Sequence, residues 1–138
     1  MRHYLDHAST SPPRPEVVAA VTAAFTQAAG DPGRIHAEGL AARVVVEEAR
    51  ERVAALLGAR SREVVFTSGA TEAIAAACWG AAERGPHQVV PAVEHSAVRR
   101  SAERHGEVAV VAVDGYGRVD VDALIAAVRP DTALVHLQ

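Results

Sequence analysis

A chain of 138 residues, 49% hydrophobic and dominated by alanine and valine, has the length of one typical domain and enough apolar content to bury a core. Its net charge of −3, with both signs interspersed and no basic stretch interleaved with aromatics, excludes a nucleic-acid footprint, and no polyanion partner is expected. No apolar run reaches bilayer-spanning length, the N-terminus lacks a signal-peptide core, and the single cysteine, Cys78, rules out an internal disulfide framework; a cytoplasmic protein without membrane contact is expected.

Residues 1–14 read as an irregular N-terminal arm, because Thr10-Ser11-Pro12-Pro13-Arg14-Pro15 interrupts regular backbone hydrogen bonding. From Pro15, which suits a first helical turn, Val17, Val18, Val21, Phe25 and Ala28 recur at helical spacing until Gly30. A loop, Gly30-Asp31-Pro32-Gly33-Arg34-Ile35-His36, leads to a longer helix marked by Leu40, Val44, Val45, Val53, Leu56 and Leu57 and closed by Gly58. Its charged run reads as a solvated face with Glu48 and Arg52 paired at i,i+4. Thereafter strands at 63–67, 88–91, 107–113 and 132–137 alternate with helices at 70–84, 95–105 and 121–128. Short β-branched strands alternating with helices imply right-handed crossovers and a three-layer α/β/α fold with a mostly parallel sheet.

Ligands in such sheets collect at the carboxyl ends of the strands, where Ser68-Gly69-Ala70-Thr71 and Glu94-His95 both fall. The first amides of a helix lack intrahelical partners and sit at the positive end of the peptide dipoles, so the turn into helix 70–84 suits an anion, with Gly69 permitting close approach and Thr71 adding a hydroxyl. An ordinary helix capped by Ser68, with Glu72 in its first turn, accounts equally for the same residues. His95 likewise has two readings: a ring to stack on a flat cofactor, or a helix-start histidine satisfied by Glu94 or solvent.

Other candidates carry less. His36 sits in a loop where most histidines are simply exposed, and no metal site is expected from the remaining histidines. Cys78 lies about two turns into its helix, remote from the end that lowers a thiol pKa, and reads as structural packing. Gly115-Tyr116-Gly117 is a turn, and no nucleophile elbow or P-loop is present.

Four blocks in order resemble the cysteine desulfurases, class V aminotransferase enzymes of PLP-dependent fold type I. They are Tyr4-Leu5-Asp6-His7-Ala8-Ser9-Thr10 with Pro15-Glu16-Val17; Gly30-Asp31-Pro32 with Ile35-His36 and Gly39; Phe66-Thr67-Ser68-Gly69-Ala70-Thr71-Glu72; and Glu94-His95-Ser96-Ala97-Val98. The loop with Gly30 and His36 is closer to the iron-sulfur-cluster and nitrogen-fixation branch. The resemblance implies that residues 15–138 are the first half of a PLP-binding large domain. It implies that Ala70 and Thr71 hold the phosphate of pyridoxal 5'-phosphate, and that His95 stacks over the pyridine ring and assists proton transfer. It further implies an enzyme, homodimeric at full length, that takes sulfur from L-cysteine onto an enzyme cysteine as a persulfide, releases L-alanine, and passes sulfur to an acceptor or scaffold protein. Selenocysteine lyases and aminotransferases share the fold, and an inactive PLP-binding or assembly module is a further alternative.

The sequence departs from the family pattern at Asp6-His7, where Asp-Asn is usual, and at Ala73-Ile74, where more polar residues are usual. All 14 Lys and Arg residues are arginine, so no side-chain primary amine is present to bond the cofactor aldehyde, and Cys78 does not match the persulfide position. The family's lysine, its persulfide cysteine and its carboxylate-binding arginine belong after Gln138. A strand running to the last residue is expected to mark a truncated chain, inactive alone.

Overall fold

The computed structural model describes residues 3–7 and 10–137. Ala8 and Ser9 of the N-terminal motif and the chain end at Gln138 lie outside the described residues. The chain divides into two compact units, Met1–Phe66 and Thr67–Gln138.

In the first unit the arm is irregular, tied locally by the Tyr4 hydroxyl, which donates to the carbonyls of Asp6 at 2.9 Å and Thr10 at 3.1 Å. Helix α1 spans Pro15–Gln27 with the proline at its first turn, where a missing N–H costs nothing. Helix α2 spans Ala37–Leu57 and is closed by Gly58 at φ 64°, the left-handed conformation that favours glycine. Its start is held by the His36 ring, whose Nδ1 accepts from the Gly39 amide at 3.2 Å, so His36 serves as a helix cap. Gly39 is obligatory for a different reason: a Cβ there would lie 2.7 Å from the Arg34 carbonyl oxygen. The outer-face pair Glu48–Arg52 forms at 3.1 Å, as its spacing predicts.

The expected strand at 63–67 does not form. Ser61–Glu63 is a 3-10 turn, and the extended residues that follow have no ladder partner among the described residues. The Val64 carbonyl is instead taken by Arg50 Nη1 at 2.6 Å, and the Arg50 guanidinium lies 5.0 Å from the centre of the Phe66 ring. Periodicity reports a residue's preference for extended backbone; a strand also needs a neighbour.

The second unit carries helices α3 (Ala70–Ala82), α4 (Ser96–His105) and α5 (Val121–Ala126) and strands β1 (His87–Pro91), β2 (Glu107–Val111) and β3 (Thr132–Val135). The sheet order is β2-β1-β3, and both pairings are parallel, as the strand–helix alternation predicts. Central β1 is buried along its length. Val90 of β1 packs with Val98 and Ala102 of α4, joined by Ile74 of α3 and Val108 of β2, and this cluster fixes α3 and α4 on the sheet. Between β2 and α5, Val113 and Val119 bridge around a turn in which the Asp114 carboxylate accepts from the Tyr116 and Arg118 amides and Gly117 adopts φ 79°.

At the amino ends of the strands the polar groups consume one another. Arg129 donates to both Glu107 oxygens at 2.9 and 3.0 Å and to both Asp131 oxygens at 3.0 Å. Buried His87 places Nδ1 2.7 Å from Thr132 Oγ1, which in turn accepts from the Arg129 amide. Hydrogen bonds from Arg129 hold the Glu107 and Asp131 carboxyls below the usual carboxylate range, and those carboxylates raise the guanidinium.

Candidate functional site

The loop before α3 is arranged differently from an ordinary capped helix. Ser68 does not cap α3; the Glu72 carboxylate folds back to accept from the Ser68 amide at 2.7 Å and its hydroxyl at 2.6 Å. Those two hydrogen bonds hold Glu72 below the usual carboxylate range. The N-cap position is Gly69, extended at φ 164°, with no side chain to offer an acceptor and nothing within 4 Å of where a Cβ would stand. The amides of Ala70 and Thr71 therefore open the helix without a side-chain cap, in a form ready for an external oxyanion.

His95 is the N-cap of α4, and its Nδ1 accepts from the Ala97 amide at 3.1 Å. Its recorded partner is thus the backbone of its own helix rather than Glu94. With Nδ1 an acceptor, the neutral ring carries its proton on Nε2, and the cap fixes the plane of the imidazole.

The core cluster brings the two helix starts together. An open cavity of about 390 Å³ has Thr71 and Ala75 of α3 on one side and His95, Ser96 and Ala97 of α4 on the other. Ala70 is not among its lining residues. Arg100, Ser101 and Arg104 also line the cavity, and sequence reasoning passed over them. The available signal was spacing: Ser96, Arg100 and Arg104 form one i,i+4 row of α4, and Ala97, Ser101 and His105 form the next.

Cys78 is fully buried, with Sγ 3.9 Å from His136 Nε2, which in turn lies 2.9 Å from Gln88 Oε1. Burial pushes the His136 imidazole below its ordinary value, partly offset by the Glu94 carboxylate. Among the described residues no three metal-ligating side chains gather, and no helix is long and apolar enough to cross a membrane.

Comparison with known proteins places these features in a family. The family model for class-V aminotransferases matches residues 3–138. A cysteine desulfurase IscS 1 from Archaeoglobus fulgidus is 39% identical over 98% of this chain and 37% of its own length. The cysteine desulfurase IscS of Dictyoglomus turgidum is 39% identical over 97% of the chain and 36% of its own length. A cysteine desulfurase from Frankia sp. is 43% identical over 96% and 35%, so the chain spans little more than a third of each of these relatives. Among solved structures, a NifS-like protein superposes with a TM-score of 0.84 at 31% identity, covering 98% of this chain and 39% of that one. Its α/β architecture is that of the PLP-dependent transferase fold, and the chain belongs to the class-V aminotransferase family.

Proposed function

We propose that residues 15–138 form the first half of the PLP-binding large domain of a cysteine desulfurase, preceded by the arm of residues 1–14. The observation that carries this reading is the pairing of an uncapped α3 start with a backbone-fixed His95 ring on one cavity. The donor set fits pyridoxal 5'-phosphate. The Ala70 and Thr71 amides and the Thr71 hydroxyl would hold its phosphate, and His95 would pack on its ring and assist proton transfer through Nε2. When bound, the cofactor supplies an electron sink for bonds at the substrate Cα. The 31% identity to a NifS-like structure and the kinship with cysteine desulfurases support L-cysteine as substrate, L-alanine as product and a sulfur-acceptor or scaffold protein as partner. A cytoplasmic homodimer engaged in iron-sulfur cluster assembly accords with the same relationships.

These 138 residues contain no lysine, so this stretch alone holds the cofactor without a covalent side-chain bond and performs no turnover. Equilibrium dialysis with pyridoxal 5'-phosphate tests the cradle: saturable binding is expected, and its absence would defeat the assignment. Borohydride treatment followed by mass spectrometry should find no side-chain adduct; a stoichiometric one away from the N-terminus would contradict the non-covalent reading. In a protein carrying this chain at the length of its relatives, L-cysteine should yield L-alanine. Transamination without alanine would instead favour another class-V activity.

A further inference from the structure

We propose, resting on the cofactor reading above, that Glu72 is a positioning residue of the α3 cradle: its carboxylate draws Ser68 away from the first amides of the helix, so that those amides stay open to the phosphate. Two arrangements are open to Ser68. As N-cap, its hydroxyl would accept from the amide of the second or third helical residue, which would be Ala70 or Thr71, the same two donors assigned to the phosphate. In the structure α3 instead begins one residue later, with Gly69 at the N-cap and no side chain capping it.

The difference lies in where Glu72 reaches. In a capping box the acid at the third helical position bonds the N-cap amide. Glu72 holds that position but reaches one residue further: its Oε2 accepts from both the Ser68 amide at 2.7 Å and the Ser68 hydroxyl at 2.6 Å. Both donors of Ser68 converge on one carboxylate oxygen, which fixes its backbone and its side chain together. The turn is also set from its other side, where Thr67 Oγ1 donates to the Gly69 carbonyl at 3.0 Å. That carbonyl accepts the Ala73 amide at 3.2 Å and so keeps the helix start at Gly69. Without the Glu72 carboxylate, the Ser68 hydroxyl is free to take the N-cap role that its residue type favours. Ser68, Thr71 and Glu72 are all exposed, and Thr71 lines the cavity that His95 also lines. The negative charge of Glu72 by itself opposes an anion, so a charge role and a positioning role predict effects of opposite sign.

The test pairs amide hydrogen exchange of the cofactor-free 138-residue chain with equilibrium dialysis against pyridoxal 5'-phosphate. In the unsubstituted chain the Ala70 and Thr71 amides should exchange fast. Glu72→Ala should slow one of them by roughly threefold, as the Ser68 hydroxyl takes it, and weaken cofactor binding by about the same factor. Adding Ser68→Ala should restore both fast exchange and affinity. Glu72→Gln, which keeps an acceptor oxygen, should stay within about twofold of the unsubstituted chain in both measurements. Tighter cofactor binding by Glu72→Ala would make Glu72 a charge acting against the ligand, and a loss that Ser68→Ala does not restore would make it only a support of the helix; either result overturns the proposal. Exchange is read without cofactor, so a chain that binds none in any form would defeat the cofactor reading, while the exchange pattern still decides whether Glu72 controls Ser68.

Discussion

The two ends of the parallel sheet use polar side chains in opposite ways. At the amino ends, Arg129, Glu107, Asp131, His87 and Thr132 satisfy one another, tying β1, β2 and β3 at their starts. Toward the carboxyl ends, the α3 start lacks a side-chain cap and His95 spends only Nδ1 on its own helix. One end is closed and contributes to holding the fold; the other is open and, on the proposed reading, takes the ligand. The same sheet geometry thus separates stability from binding, with the Val90 cluster between them as the part both depend on.

That division can be broken first at its centre. Val90→Ala should lower stability by about 2 kcal/mol in urea denaturation, since a fully buried valine loses its transfer term and leaves a void. If the loss is within error, the cluster does not bind the two ends together. Next, at the open end, Thr71→Val should reduce pyridoxal 5'-phosphate affinity by roughly tenfold, about 1.4 kcal/mol, with an unchanged denaturation midpoint. A fall in stability with unchanged affinity would reverse the assignment of that end. At the closed end, Arg129→Ala should lower the melting temperature modestly, more at low salt than at high, with cofactor affinity unaltered.

The smallest expected effect is one of pH. His136 is held neutral in the fold by burial, so its folded pKa lies below the unfolded value of 6.5. Its contribution to stability is complete above that value and is lost as pH falls through it, because the unfolded chain then binds the proton more readily. Melting curves between about pH 8 and about pH 5.5 should show the decline, and His136→Gln should flatten it. An unchanged slope in that variant would assign the decline to other groups, the Arg129 carboxylate partners among them.

Much of this was legible in the sequence where the cause is local. Pro15 and Gly58 mark helix ends because their backbone chemistry leaves few alternatives, and β-branched runs mark β1, β2 and β3 within a few residues. The sequence of the turn into α3 admits a candidate anion site for the same reason. What escaped notice depends on neighbours far along the chain or on side-chain geometry. Val64–Phe66 has the composition of a strand but no ladder partner, and the Glu72 fold-back onto Ser68 has no composition signal separate from a capped helix.

Gly69 shows what the open end forgoes. Its extended backbone is one that any residue adopts, so the glycine is not required by conformation; what it contributes is the lack of a side chain. A serine or aspartate there would bring its own oxygen to the α3 amides and stabilise the helix by about 1 kcal/mol. That oxygen would also be a permanent competitor, tethered to the chain at a local concentration no free phosphate ester reaches. Gly69→Asp is therefore a sequence change that a stability screen would select and a binding screen would discard. On the proposed reading, the α3 start is kept below its attainable stability, and that deficit is what would leave it free to bind.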